Sequence, residues 1–146
     1  GVYDVFLCMR DKDGNYQWAV TFGGVDSDNC KGVALDSSGN PFITGLFMST
    51  VDFDPGPAPD NRTADGIGDA YLSSFDSSGN MLWARTWGAT VDDFATSVAV
   101  APTGEIFAAG VFSGTVDFDP GIGADAHSSN GEYDCFLIRF FPGGFW

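Results

Sequence analysis

Thr50-Val51-Asp52-Phe53-Asp54-Pro55-Gly56 returns unchanged as Thr115-Val116-Asp117-Phe118-Asp119-Pro120-Gly121, 65 residues further on. Working outward from this pair, the register never slips: Trp18 falls on Trp83, Asp11, Gly14 and Asn15 on Asp76, Gly79 and Asn80, and Asp4 on Asp69 and again on Asp134. Residues 1–65 and 66–130 are identical at 25 of 65 positions without a gap, which identifies a repeat protein. The first repeat is 1–65, the second 66–130, and 131–146 begins a third with one strand and a turn.

Within a repeat the punctuation is legible. Asp11-Lys12-Asp13-Gly14, Asp36-Ser37-Ser38-Gly39 and Asp76-Ser77-Ser78-Gly79 place Asp first and Gly three residues later. That order suits a type I turn closed by a left-handed Gly, a common hairpin connection. Ala101-Pro102-Thr103-Gly104 reaches the same turn with Pro fixing the second position. Between the turns lie short segments rich in aromatic and β-branched residues: Asp4–Arg10, Tyr16–Phe22, Lys31–Leu35 and Phe42–Phe47, with Thr50–Asp54 as an extended exit. No segment shows a sustained helical period. The expectation is all-β, with four antiparallel strands in each repeat.

The first strand is almost continuously apolar, as is its third copy Cys135-Phe136-Leu137-Ile138, so the sheets are expected to be covered on both faces. A four-stranded unit cannot bury two faces alone and must stack on its neighbours. Radial stacking gives four-stranded propeller-type blades, and a closed ring needs about four to eight of them.

The run of Asp-[Val/Ala]-[Phe/Tyr]-Leu, Asp-x-x-Gly-Asn-x-x-Trp-Ala and Val-Ala, followed by Gly-x-Phe, resembles the bacterial β-propeller repeat family called SBBP. Its Val-Asp-Phe-Asp-Pro-Gly ending is similar to a subset found in large extracellular bacterial proteins. The resemblance spans the chain and implies a secreted or cell-surface scaffold. It carries over no catalytic residue.

Composition narrows the partners. The chain has 146 residues, a net charge of −14 and six Lys and Arg together, so it lacks the basic footprint that nucleic acid or an anionic membrane surface requires. No apolar run approaches a membrane span. Other blades, and a glycan or protein ligand, are the expected partners. The three Cys are not repeated: Cys8, Cys30 and Cys135 align with Ser73, Ala95 and Val5. Placed on the first and third strands of one sheet, Cys8 and Cys30 stand about 9.6 Å apart, too far for a disulfide. Buried free thiols are expected.

The repeated Asp52, Asp54, Asp117 and Asp119 are the metal candidates. Along an extended segment Asp52 and Asp54 share one face, and with Asp60 or Asp125 nearby they could hold Ca²⁺. The competing role is a turn, Asp54-Pro55-Gly56, which accounts for those three residues but not for Asp52. The Gly23–Asn29 and Gly88–Phe94 loops carry Asp26, Asp28, Asp92 and Asp93; they could line a ligand surface, and solvated connections are the preferred reading. His127 is the only histidine, stands where the first copy has Arg62, and belongs to no catalytic motif. Asn61-Arg62-Thr63 is an N-glycosylation sequon on a linker.

Phe141-Pro142-Gly143-Gly144 replaces the first hairpin turn, and Phe145-Trp146 opens the next strand. One account is a piece of a longer array. The other leaves Tyr133–Phe140 as an unpaired strand, offering an edge for head-to-tail assembly into a ring or filament. The functional expectation is a non-catalytic extracellular scaffold or binding module. A head-to-tail structural subunit is the first alternative, and a propeller hydrolase or lyase the second.

Overall fold

A computed structural model describes residues 1–119 and 121–146. Pro120, in the second acidic motif, lies outside the described residues. The fold is all-β: β1 (Val5–Arg10), β2 (Tyr16–Phe22), β3 (Asn29–Leu35), β4 (Pro41–Phe47), β5 (Thr50–Asp52), β6 (Asn61–Thr63), β7 (Asp69–Phe75), β8 (Met81–Trp87), β9 (Phe94–Val100), β10 (Ile106–Phe112), β11 (Thr115–Asp117), β12 (Ala126–Ser128) and β13 (Asp134–Phe140). No helix occurs among the described residues.

The hairpins form where the turn chemistry places them. In each turn the N–H of the fourth-position Gly donates to the carbonyl of the first residue, as in Gly14 to Asp11 and Gly79 to Asp76, at 3.0 Å. Gly14, Gly39, Gly79, Gly104 and Gly144 all have positive φ, between 74° and 98°. A side chain would be strained there.

The grouping of hairpins differs from the expectation. The four-stranded sheet runs β3-β4-β7-β8. It joins the second hairpin of residues 1–65 to the first hairpin of residues 66–130. The hydrogen-bonded sheet is therefore half a repeat out of phase with the sequence unit. β1 and β2 form a two-stranded sheet, and β9, β10 and β13 a three-stranded one in the order β13-β10-β9. The third-copy strand is thus not an orphan: β13 pairs with β10 along its whole length, from Ile106 opposite Phe140 to Phe112 opposite Asp134.

Stacking of sheets decides burial. Every residue of β4 and β7 is buried. β1 is at least as apolar as β7, yet Phe6 is 65% exposed where its counterpart Tyr71 is fully buried. The expectation of two covered faces holds for β7, which lies between two stacked sheets, and fails for β1, because among the described residues no sheet stacks on the face that carries Phe6. Cys8 and Cys30 lie in different sheets, so the single-sheet argument about them does not apply. Nor are the thiols buried: all three are free, Cys8 half-buried, Cys30 and Cys135 exposed, because they sit on strands with an uncovered face or edge.

Two cores lie between the three sheets, and they are copies of one another. In one, Phe22 of β2 meets Tyr71 and Phe75, with ring centroids 6.1 and 6.0 Å away. In the other, Trp87 of β8 meets Phe136 and Phe140 at 5.6 and 5.8 Å. The interface between the second and third sheets tapers. Where β3 crosses β9 the backbones nearly touch, since a Cβ on Gly32 would stand 3.1 Å from Ser97 Cα. Toward β8 and β13 the sheets are held apart by Trp83, Trp87 and Phe140. The acidic exits are not free linkers either. β5 pairs with β6 and β11 with β12, so Asn61–Thr63 and Ala126–Ser128 are ordered strands.

Candidate functional site

The repeated Val-Asp-Phe-Asp segment alternates as an extended strand must. Val51, Phe53 and Val116 are fully buried and Phe118 nearly so, while the acids between them reach the surface. Asp52 closes the loop between β5 and β6, because its Oδ1 accepts the backbone N–H groups of Asp54 (3.1 Å) and Asp60 (2.9 Å). Asp117 does the same for Asp119 (3.0 Å) and Asp125 (2.8 Å). One step on, Asp54 Oδ1 accepts the Gly56 N–H at 2.8 Å and Asp119 Oδ1 that of Gly121 at 2.7 Å. The turn role therefore extends to Asp52, which turn chemistry alone left unexplained. The third acid of each loop meets a nitrogen-bearing side chain two residues on: Asp60 pairs with the Arg62 guanidinium at 2.8 Å, and Asp125 lies 2.9 Å from His127 Nε2. His127 and Arg62 thus fill the same position in the same kind of contact. Among the described residues no group of three or more His, Cys, Asp or Glu gathers in a metal-binding arrangement.

The hairpin turns use their Asp in the same way. Asp36 Oδ1 accepts the N–H groups of Ser38 and Asn40, at 2.8 and 2.9 Å, and Oδ2 accepts the Asn40 amide at 2.9 Å. Asp11 and Asp76 repeat the pattern. For Asp11 and Asp76 the Asn side-chain bond is the largest influence, and it lowers their pKa.

Adjacent sheets are latched across these turns. Trp18 Nε1 donates to the Ser77 carbonyl at 2.8 Å, and Trp83 Nε1 to the Pro142 carbonyl at 2.9 Å. Each indole lies on the Gly of that turn: a Cβ on Gly79 or Gly144 would come 2.8 Å from Trp18 or Trp83. The repeated Trp and the repeated Gly are thus one contact, made by different copies.

Beside each latch is a crevice, and the two are related by the repeat. The first, about 370 Å³, is lined by Trp18, Asp54, Pro57, Asn80 and Met81. The second, about 380 Å³, is lined by Arg85, Asp119, Ile122, Phe145 and Trp146. In the second the Trp146 indole N–H donates to Asp119 Oδ1 at 3.0 Å. Each crevice has one wall from the acidic loop and one from the next hairpin.

The loop acids read as solvated are of two kinds. Asp26 is exposed, but Asp28 and Asp93 are buried. Asp28 accepts the N–H groups of Gly24 (2.7 Å) and Met48 (3.0 Å); Asp93 accepts those of Ala89 (2.6 Å) and Ser113 (2.7 Å). Burial raises the pKa of both, and the bonds they accept offset part of that rise. The signal was present in the sequence, since of the four loop acids only Asp28 and Asp93 align with each other. Asp69, 3% exposed, accepts the Asp65 N–H through Oδ2 at 3.0 Å, and its Oδ1 has no hydrogen-bond partner among the described residues. Burial, together with the charges of Asp65 and Asp93, raises its pKa to about 6. The sequon residue Asn61 is exposed at the start of β6.

No known protein-family profile matches the chain. Over 110 residues it is 26% identical to an uncharacterized WD repeat-containing protein, L264, of Acanthamoeba polyphaga mimivirus, a match covering 66% of this chain and 8% of that protein. Over 101 residues it is 30% identical to the regulatory protein FlaEY of Caulobacter vibrioides, covering 66% of this chain and 10% of that protein. The chain spans a tenth or less of the length of these relatives. The first similarity agrees with a repeat-built β fold.

Proposed function

We propose that the chain is a run of β-propeller-type blades serving as a non-catalytic scaffold or binding module in a secreted or cell-surface protein. In this reading each blade is the second hairpin of one repeat with the first hairpin of the next. The observation that carries it is the taper: backbones in contact at β3 and β9, aromatic side chains spreading the sheets at β8 and β13. Wedges stacked in one sense fan about an axis, which is the geometry of a propeller. Similarity to a protein named for WD repeats, themselves propeller repeats, supports the same reading.

The ligand surface is the row of crevices beside the acidic loops. An aromatic wall with a carboxylate and an amide, as at Trp18, Asp54 and Asn80, suits a glycan or a polar segment of a protein. The acids brace the loops, so the reading requires neither a catalytic residue nor a cofactor. Calcium held by Asp52 and Asp54, or by Asp117 and Asp119, would be met most directly by their Oδ2 atoms, since the Oδ1 atoms accept the loop N–H groups.

The test is a glycan and peptide array screened with the whole chain and with Asp54→Ala. The expected result is a set of hits weakened by the substitution while the circular dichroism is unchanged. An absence of hits, or hits indifferent to Asp54, would sink the binding-module reading.

A further inference from the structure

We infer that the crevice beside Trp18 is an ammonium site, and that its ligand is a lysine side chain of a protein partner. The inference rests on the binding-module reading above and narrows the ligand of that crevice to a primary amine.

The two repeat-related crevices differ in charge. Arg85 of β8 lines the second, so the chain supplies a cation of its own to the crevice that holds Asp119. The Trp146 indole N–H is also seated on the Asp119 carboxylate, at 3.0 Å. One repeat earlier these two positions are Val20 and Met81, whose side chains have no N–H to give. The first crevice therefore keeps the carboxylate and lacks both donors. Among the described residues Asp54 accepts the Gly56 N–H alone, through Oδ1, and forms no ion pair with Lys, Arg or His. None of the six Lys and Arg residues lines this crevice. On a chain of net charge −14, a half-buried carboxylate without a cation attracts one from outside.

The rest of the lining selects the kind of cation. Trp18 has committed its indole N–H to the Ser77 carbonyl, so it offers a ligand only its ring, whose face attracts positive charge. Asn80 donates its amide to Asp76 Oδ2 at 2.8 Å, which leaves its own carbonyl oxygen as an acceptor. Asp54 Oδ2 is a second acceptor. A matching ligand brings hydrogen-bond donors and positive charge together. A primary ammonium carries three N–H donors, a quaternary ammonium none, and a sugar hydroxyl no charge. With Oδ1 already bonded to Gly56, Asp54 has one uncommitted oxygen, which suits a compact ammonium better than a two-pronged guanidinium. Pro55, Pro57 and Met81 add apolar wall, against which the four-carbon lysine stem packs while its head meets the carboxylate. The crevice, about 370 Å³, has room for one such side chain.

The probe is Nα-acetyl-lysine N-methylamide, titrated into the whole chain while the Trp18 indole and Met81 methyl signals are followed by NMR. Both signals are expected to move and saturate with a Kd on the order of millimolar. The same probe acetylated at Nζ keeps the stem and loses the charge; it should bind at least about tenfold more weakly. A similar loss is expected for the unmodified probe with Asp54→Asn, whose amide oxygen still accepts the Gly56 N–H. Val20→Arg gives the first crevice the cation that the second already has, and should also weaken lysine binding. Signals unmoved well above that concentration, equal binding of the charged and acetylated probes, or binding indifferent to Asp54 would each overturn the assignment. Tetramethylammonium binding as tightly as the lysine probe would overturn it too. The charged and acetylated probes are compared on the natural chain, which decides the matter should a variant fail to fold. A neutral oligosaccharide that moves the two signals where lysine does not would remove the lysine site and leave the binding-module reading standing. An array without hits is what removes that reading.

Discussion

Replacing Asp93 with Ala tests whether the buried acids hold the inter-sheet loops. Asp93 is fully buried, and its two oxygens accept the N–H groups of Ala89 and Ser113 at 2.6 and 2.7 Å. Hydrogen bonds to a charged group contribute about 1.5–3 kcal/mol each, so the substitution removes roughly 3–6 kcal/mol gross and leaves two N–H groups unpaired. Against this, the buried carboxylate is disfavoured in its charged form, as its raised pKa shows, and its loss relieves that cost. The expected net destabilisation is about 2–4 kcal/mol, which lowers the melting temperature by roughly 5–15 °C in a chain of this size. Asp93→Asn retains one acceptor and should fall between Asp93→Ala and the natural chain. Asp13→Ala, on an exposed turn, should stay within about 0.5 kcal/mol. The assay is urea unfolding followed by tryptophan fluorescence, with the slope required to stay constant. If Asp93→Ala proves as mild as Asp13→Ala, the staple is not what holds the loop.

Other expectations follow from the same geometry. Asp52→Asn, whose amide oxygen still accepts the Asp54 and Asp60 N–H groups, should be nearly neutral, while Asp52→Ala should cost about 1–3 kcal/mol; equal costs in thermal melts would argue against the loop-closing role. Trp83→Phe loses the bond to the Pro142 carbonyl and part of a buried ring, and should cost about 1–3 kcal/mol by denaturant unfolding followed by circular dichroism. Asp69 makes stability fall as pH rises. Its folded pKa of about 6 exceeds the ordinary 3.8, so the folded state retains a proton that the unfolded chain releases. Its contribution is most favourable below about pH 4 and declines to a plateau above about pH 6, by at most about 3 kcal/mol before solvent screening. Asp69→Asn should flatten the melting temperature between those values. Asp11, Asp36 and Asp76, with lowered pKa values, act oppositely and lose their contribution only as pH drops below the ordinary carboxylate range. A pH profile unchanged by Asp69→Asn would refute the assignment.

Much of the site was legible one residue at a time. Asp52 and Asp117 stood out because they recur, and Asp28 and Asp93 recur as well. What concealed the latter pair was their setting in a short acidic loop, where a carboxylate is ordinarily solvated. Only the fold shows that these loops pass between sheets, with Met48 and Ser113 N–H groups aimed at the acids. The contacts of Arg62 with Asp60 and of His127 with Asp125 were hidden for another reason. Their segments looked like variable linkers, and they become strands only by pairing with β5 and β11.

The sequence by itself determined the hairpins, because a hairpin is local: Asp at the first position of a turn and Gly three residues later close it whatever surrounds it. It also determined the period and the alternation that buries Val51 and Phe53. It did not determine the phase. A repeat gives the same pattern wherever its boundary is drawn, so joining β1-β2 to β3-β4 was as consistent with the period as joining β3-β4 to β7-β8. Tertiary structure made that choice through contacts between distant residues. Gly45 leaves room for Tyr71, Gly79 for the indole of Trp18, and Gly32 for the backbone of β9. Each close approach excludes a Cβ, and only the assembled sheets show which neighbour that space admits.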